Sequence, residues 1–216
     1  MNTAIKYAPT SLDTFVYANP HLKIQIERYV NGNSMTPLIL FGKNGTGKST
    51  LAKLIPEAID GPNVIVNKVK ASTLNNEREV FEKFTRNTSF DSCFVFEGQS
   101  KNYTVVEEVN FEAKASSALR VAVDQMLGKD LFIFTTNEIG KIDPGLASRS
   151  TLIEVPPLLP QTFLPTALRI LNAEGVVIDE SEILDVLDSV HEMQQVNRKY
   201  YDALDDLIWQ VQRQNF

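Results

Sequence analysis

Gly42, Gly47, Lys48 and Ser49 stand at the spacing G-x-x-x-x-G-K-[ST], with a further glycine, Gly45, inside it. Glycine accepts backbone turns that other residues resist, so a loop built this way can aim successive N–H groups at one point. The chemistry this suits is the grip of a polyphosphate. Loop amides and the first turn of a following helix face the phosphate oxygens, a lysine reaches the terminal two phosphates, and a hydroxyl ligates a hard divalent cation. The run Gly42, Lys43, Asn44, Gly45, Thr46, Gly47, Lys48, Ser49 and Thr50 is therefore the candidate nucleotide-binding loop, with Ser49 as a ligand for Mg²⁺ beside ATP. A glycine turn that matches by chance is the alternative, and the flanking residues weigh against it.

Those flanks have the required character. Residues 38–41, "LILF", read as a buried parallel strand, and from Ser49 the spacing of Leu51, Leu54 and Ile55 is helical until Pro56, which is expected to disturb the helix. Downstream, "NYTVVEEVN" (102–110) is a strand ending in Glu107 and Glu108. Such a pair can divide the work of hydrolysis: Glu107 holds magnesium, directly or through water, and Glu108 polarises the attacking water. Taken alone, the pair would read as a charged strand end facing solvent, and the upstream phosphate loop reverses that balance; Glu97 at the end of "CFVFEG" is a competing carboxylate on an expected strand over 92–97. A helix follows over "AKASSALRVAVDQML", then a buried strand at Leu131–Phe134 with Asn137 close behind. In a parallel sheet, ligand groups gather at the carboxyl ends of strands, so Asn137 can orient the water beside the γ-phosphate; alone it would read as a cap or turn residue.

Composition narrows the classes. With 216 residues, 43% of them hydrophobic and 22% charged, the chain has ordinary globular proportions, enough for one large domain or a main domain with an appendage. No apolar run approaches the roughly 18 residues of a membrane span, and no signal peptide is apparent, so a soluble, cytoplasmic protein with no membrane partner is expected. One cysteine, Cys93, and two histidines argue against a disulfide framework or a transition-metal site. A formal charge of −6 argues against indiscriminate coating of nucleic acid, although a local basic stripe can still track phosphates.

Pro156, Pro157 and Pro160 mark a linker, after which helical periodicity runs over about 161–174, 180–192 and 195–213. Leu168, Ile170, Leu171, Ile183, Leu184, Leu187, Leu204, Leu207 and Ile208 are the expected core of that bundle, and Trp209 is expected to pack on it. The fold class is thus α/β, a parallel-sheet nucleotide-binding core over 1–157 followed by a small all-α domain over 158–216.

The order of "KYAPTSLDTFV" (6–16), "GKNGTGKST", "VVEEVN", "FTTN", "LASRS" and "ALRILNAEGV" (167–176) resembles the AAA+ ATPases, and within them the clamp-loader small subunits of the replication factor C type, including phage versions. The resemblance covers nearly the whole chain. It implies that Arg149 is an arginine finger acting on ATP bound by a neighbouring subunit, that Asn137 is the first sensor, and that "VNRKYYDAL" (196–204) carries the second sensor, as Arg198 or, in a shifted register, Lys199. It implies a helical lid whose angle reports the bound nucleotide. It also implies partners: the same or homologous AAA+ subunits in an oligomer, DNA, and a sliding clamp or other replication protein. Arg78, Lys83, Arg86, Lys114 and Arg120 are candidates for DNA phosphates, with a solvated mixed-charge helix the equal alternative for the first three. Glu107 stands where the family pattern has aspartate. If the chain ends naturally at Phe216, no helical collar follows and assembly would rest on core-to-core contacts. The expected function is ATP hydrolysis coupled to conformational change in a clamp-loader-like oligomer; a helicase or helicase loader, or a non-hydrolysing nucleotide switch, are the alternatives.

Overall fold

The computed structural model describes residues 2–32, 34, 36–73, 77–81, 101–109, 113–126 and 130–214. In chain order its elements are α1 (Thr3–Lys6), α2 (Pro20–Asn31), β1 (Leu38–Phe41), α3 (Lys48–Asp60), β2 (Val66–Lys70), α4 (Glu77–Phe81), β3 (Asn102–Glu107), α5 (Ala113–Met126), β4 (Asp130–Thr136), α6 (Pro144–Ser148), β5 (Thr151–Glu154), α7 (Pro160–Ala173), α8 (Glu180–Met193) and α9 (Asn197–Gln214). The strand expected over 92–97, with Cys93 and Glu97, lies outside the described residues, as do Lys83 and Arg86. Two compact units result: a sheet unit of His21–Gly42 and Lys48–Glu154, and a helical unit of Met1–Pro20, Lys43–Gly47 and Val155–Phe216.

In the sheet unit the five strands pair in the order β2-β3-β4-β1-β5, every pair parallel. Parallel strands need crossovers that cover both faces, which is why β1 and the Leu131–Phe134 stretch of β4 are apolar and all seven residues of β4 are buried. One face carries Ile39, Val69, Val106, Phe132 and Phe134 against Leu119, Ala122 and Val123 of α5. On the other, Tyr103 donates its hydroxyl hydrogen to Asp60 Oδ2 at 2.7 Å, at the end of α3. That helix carries Pro56, where a disturbance is expected, within its length and runs on to Asp60. The proline forfeits one backbone hydrogen bond, while Leu51, Leu54 and Ile55 on the same helix are fully or almost fully buried, each such side chain contributing about 1.5–3 kcal/mol. Tertiary burial therefore overrides the local break.

In the helical unit α7, α8 and α9 surround Phe163, Ala167, Ile170, Leu171, Ile183, Leu187, Tyr200, Leu204 and Ile208, with Leu168, Leu184 and Leu207 packed at the margin. Phe163 stacks on Tyr200 at 5.0 Å and meets Tyr201 edge-on at 5.1 Å. Trp209 is not part of this core: it is 58% exposed, with the Arg213 guanidinium over its ring at 4.6 Å. Its amphipathic ring is served by a cation at the surface instead of burial. The first residues of the chain join this unit. Thr3 N–H donates to Asp205 Oδ1 at 3.1 Å, and Thr3 Oγ1 donates to Tyr201 O at 3.1 Å. Lys6 Nζ and the Tyr7 hydroxyl both donate to Glu174 Oε1.

Those two bonds, the lysine's first and the tyrosine's second, hold the Glu174 carboxyl below its usual 4.5. A carboxylate depressed in the folded state stabilises it above the ordinary glutamate value, and the contribution is lost as pH falls through the folded one. Thermal unfolding should accordingly show E174Q melting below wild type at pH 7, with the gap shrinking as the pH is lowered beneath about 4.5; a gap constant across that range would contradict the anchoring role.

Candidate active site

The loop after β1 makes its turns on glycine: φ is 143° at Gly42, 71° at Gly45 and 102° at Gly47. At Gly45 the need is doubled, because a Cβ there would stand 2.5 Å from Val196 Cγ1. Val196 is β-branched and has little rotamer freedom with which to withdraw. Two loop carbonyls are satisfied from within: Gly42 O accepts from Lys48 Nζ at 2.9 Å and Lys43 O from Thr46 Oγ1 at 3.0 Å. Lys48 opens α3 and is only 7% exposed; burial pulls its ammonium pKa down, and the Glu108 carboxylate charge partly opposes this. Ser49 and Thr50 follow in the first turn of α3, Ser49 exposed and Thr50 half-buried.

The register of the sheet determines what else reaches this edge. Phe41 pairs with Thr136 and Val106 with Phe134, all strands parallel, so Gly42, Glu107, Glu108 and Asn137 leave the sheet at the same end. Glu107 is the last residue of β3, half-buried and opposite Lys70 of β2. Two successive residues of a regular strand would point to opposite faces. Glu108 escapes that alternation by adopting φ 57°, the only positive value at a non-glycine among the described residues. Its N–H donates to Thr135 Oγ1 at 3.1 Å, and the next N–H, of Val109, to Thr135 O at 2.8 Å. The left-handed backbone costs about 1–2 kcal/mol, and strain of this kind is kept where the surrounding structure holds it and function uses it. Asn137 stands exposed just past β4. Oxygen donors of one hydroxyl and one carboxylate, Ser49 and Glu107, suit a hard cation that also keeps phosphate and water ligands, as Mg²⁺ does.

Arg149 lies elsewhere. Thr151, the first residue of β5, pairs with Leu38 at the start of β1, whereas the loop follows Phe41 at its end. Arg149 is thus at the opposite edge of the sheet from Lys48 of the same chain. It caps α6, donating from Nη1 to Gly145 O at 2.8 Å, and its Nε lies 3.3 Å from Asp124 Oδ1 on α5. Nothing in the sequence singles out Asp124. In the helical unit Arg198 is exposed in the first turn of α9, and its Cβ would lie 3.9 Å from a Cβ on Gly45; Lys199 is engaged with Asp202 at 2.9 Å. Of the basic residues considered for DNA, Arg120 pairs with Asp143 at 3.8 Å, Arg78 is exposed on α4, and the Lys114 side chain lies outside the described set.

Residues 38–157 match the family model for "ATPase family associated with various cellular activities (AAA)". The chain belongs to this family. It is 27% identical over 195 residues to "Replication factor C small subunit 2" of Pyrobaculum arsenaticum, covering 88% of this chain and 58% of that protein. With "Replication factor C subunit 3" of Schizosaccharomyces pombe the identity is 24% over 183 residues, covering 84% and 53%. The chain thus spans little more than half the length of these curated relatives. Its fold is shared by a Thermotoga maritima RuvB mutant (TM-score 0.70, 15% identity, 91% of this chain and 64% of that one) and by domain III of the Thermotoga maritima replication initiation protein DnaA (TM-score 0.68, 16% identity, 95% and 90%). Among the described residues no helix is long and apolar enough to cross a membrane.

The Gly45 geometry makes a prediction that needs no ligand. G45A should lower the melting temperature of the nucleotide-free protein, and adding V196A should recover part of the loss, because it removes the clashing Cγ1 while the cost of φ 71° remains. No recovery would mean the contact is not what excludes a side chain there, and full recovery would mean that the contact alone excludes it and that φ 71° costs nothing.

Proposed function

We propose that this chain is an ATP-hydrolysing AAA+ subunit of clamp-loader type, coupling nucleotide binding and hydrolysis to conformational change in an oligomer acting in DNA replication. One observation carries the reading: a lysine buried at the head of α3 feels the charge of a carboxylate whose backbone is held at φ 57° where the parallel strands end. Loop amides from Gly42 to Lys48 and the Lys48 ammonium bind the β- and γ-phosphates. Ser49 and Glu107 would hold Mg²⁺, which when bound neutralises phosphate charge. Water attacks the γ-phosphorus as the bond to the β-phosphate bridging oxygen breaks. Glu108 polarises that water and takes its proton, Asn137 orients it, and ADP and inorganic phosphate leave.

Arg149, lying at the far edge of its own sheet, serves a neighbouring copy or homologous subunit, where its guanidinium stabilises charge spreading over the transferred phosphoryl oxygens. Arg198 acts as the second sensor, and residues 158–216 work as a lid that converts γ-phosphate contacts into domain motion. The likeness to replication factor C subunits supports a role with DNA and with a sliding clamp or other replication protein. Glu107 in place of aspartate favours a second reading, a nucleotide switch that binds ATP and barely turns it over.

K48A should weaken MgATP affinity by about 10–100-fold, as loss of a charge-assisted bond requires; wild-type affinity in that variant would sink the phosphate reading. Turnover per subunit should rise with protein concentration and with primed DNA. R149A should flatten the concentration dependence and cut turnover by a factor on the order of 10³. Binding with no turnover at any concentration, with or without DNA, would favour the switch; unwinding of a forked duplex would favour a helicase.

A further inference from the structure

A loop that turns its N–H groups toward a phosphate must turn the carbonyls of the same peptides away, since N–H and C=O of a planar trans peptide point in opposite directions. Each outward carbonyl then needs a donor. Gly42 O and Lys43 O find theirs in Lys48 and Thr46, within the loop itself. Thr46 O does not: it accepts at 3.0 Å from the side-chain amide Nδ2 of Asn197, in the first turn of α9 and 151 residues further along the chain. The other end of that amide, Oδ1, accepts Leu158 N–H at 2.8 Å. Its orientation is therefore determined, because Leu158 N–H can only donate and Thr46 O can only accept. The residues just before Asn197 reinforce the contact, Gln195 Oε1 accepting from Lys43 Nζ and Val196 closing on Gly45.

We propose that Asn197 is a positioning residue for phosphate binding. By holding Thr46 O it sets the plane of the peptide that carries the Gly47 N–H, and so aims that N–H to the side opposite Asn197, where the phosphate is received. This rests on the triphosphate reading of the loop. It adds that the loop's binding-competent shape depends on α9, so that displacement of the first turn of α9 from the loop releases the Gly47 peptide.

Asn197→Asp tests this. The variant keeps an acceptor for Leu158 N–H and nearly the same shape, but sets a carboxylate oxygen against the Thr46 carbonyl. In the full chain without nucleotide, amide hydrogen exchange at residues 44–48 should quicken at least about five-fold while the buried amides of α7 and α8 stay unchanged. MgATP affinity should fall about ten-fold at neutral pH, and the deficit relative to wild type should narrow as pH is lowered toward about 4, because protonating the introduced carboxyl, ordinarily at about 3.9, restores a donor. Should N197D lose helical signal, Asn197→Ser, whose hydroxyl is too short to reach both partners, is read the same way. Unchanged exchange across 44–48 together with wild-type affinity overturns the proposal. If the wild-type protein binds no MgATP, the phosphate reading fails by itself, and the exchange comparison still decides whether Asn197 holds the loop.

Discussion

Parallel pairing of β3, β4 and β1 is the constraint on which the chemistry of this chain rests. Because the three strands run the same way in the register Phe41 to Thr136 and Val106 to Phe134, their last residues are delivered to one edge without any long loop having to find its place. Segments more than sixty residues apart in sequence, Gly42 and Glu108, are brought together by backbone hydrogen bonds and the burial beneath them. The same register sends Arg149 to the other edge, since β5 starts beside the start of β1. One geometric fact therefore both assembles the candidate hydrolytic residues and separates the proposed finger from them.

The core beneath this edge sustains strain at the surface. Phe132, Phe134, Ile39 and Val106 have no exposed area, and burial of side chains of that size far exceeds the 1–2 kcal/mol that a left-handed glutamate costs. Thr135 is central to holding it: its hydroxyl and carbonyl take the N–H groups of Glu108 and Val109, the two donors that a break in strand geometry would otherwise strand. Thr136 completes the arrangement by donating its hydroxyl hydrogen to Val109 O at 2.9 Å. The two threonines that follow the apolar run Leu131–Phe134 in β4 thus have a local reason.

Much of this was legible in the sequence because it is written in local pattern. Glycine spacing marks the loop, unbroken apolar runs mark β1 and β4, and 3.6-residue periodicity marks α7, α8 and α9 within two residues at each end. What escaped depends on partners far away in the chain. The continuation of α3 past Pro56 follows from tertiary burial, which no local rule contains. The exposure of Trp209 follows from a cation one turn away on the same helix. The packing of residues 3–7 on α9 and Glu174, and the grip of Asn197 on Thr46, join positions 151 or more residues apart. Glu107 and Glu108 were visible as a pair, but their division into a strand residue and a turned one was not, because alternation would have set them on opposite faces.

The engagement of Arg149 bears on how a finger can wait without being trapped. Its pair with Asp124 is 3.3 Å long, with the two side chains 47% and 38% exposed. Ion pairs in such surroundings contribute only about 0–1 kcal/mol, because water screens them and two mobile side chains must be ordered. Stabilising a phosphoryl transition state from a neighbouring subunit is worth several kcal/mol, on the order of 10³ or more in rate. In the proposed trans role the resting contact therefore orients the guanidinium at negligible cost to its later departure, while the bond to Gly145 O keeps its base fixed on α6. A fully buried partner in place of Asp124 would have reversed that balance, since breaking a buried pair costs about 3–5 kcal/mol.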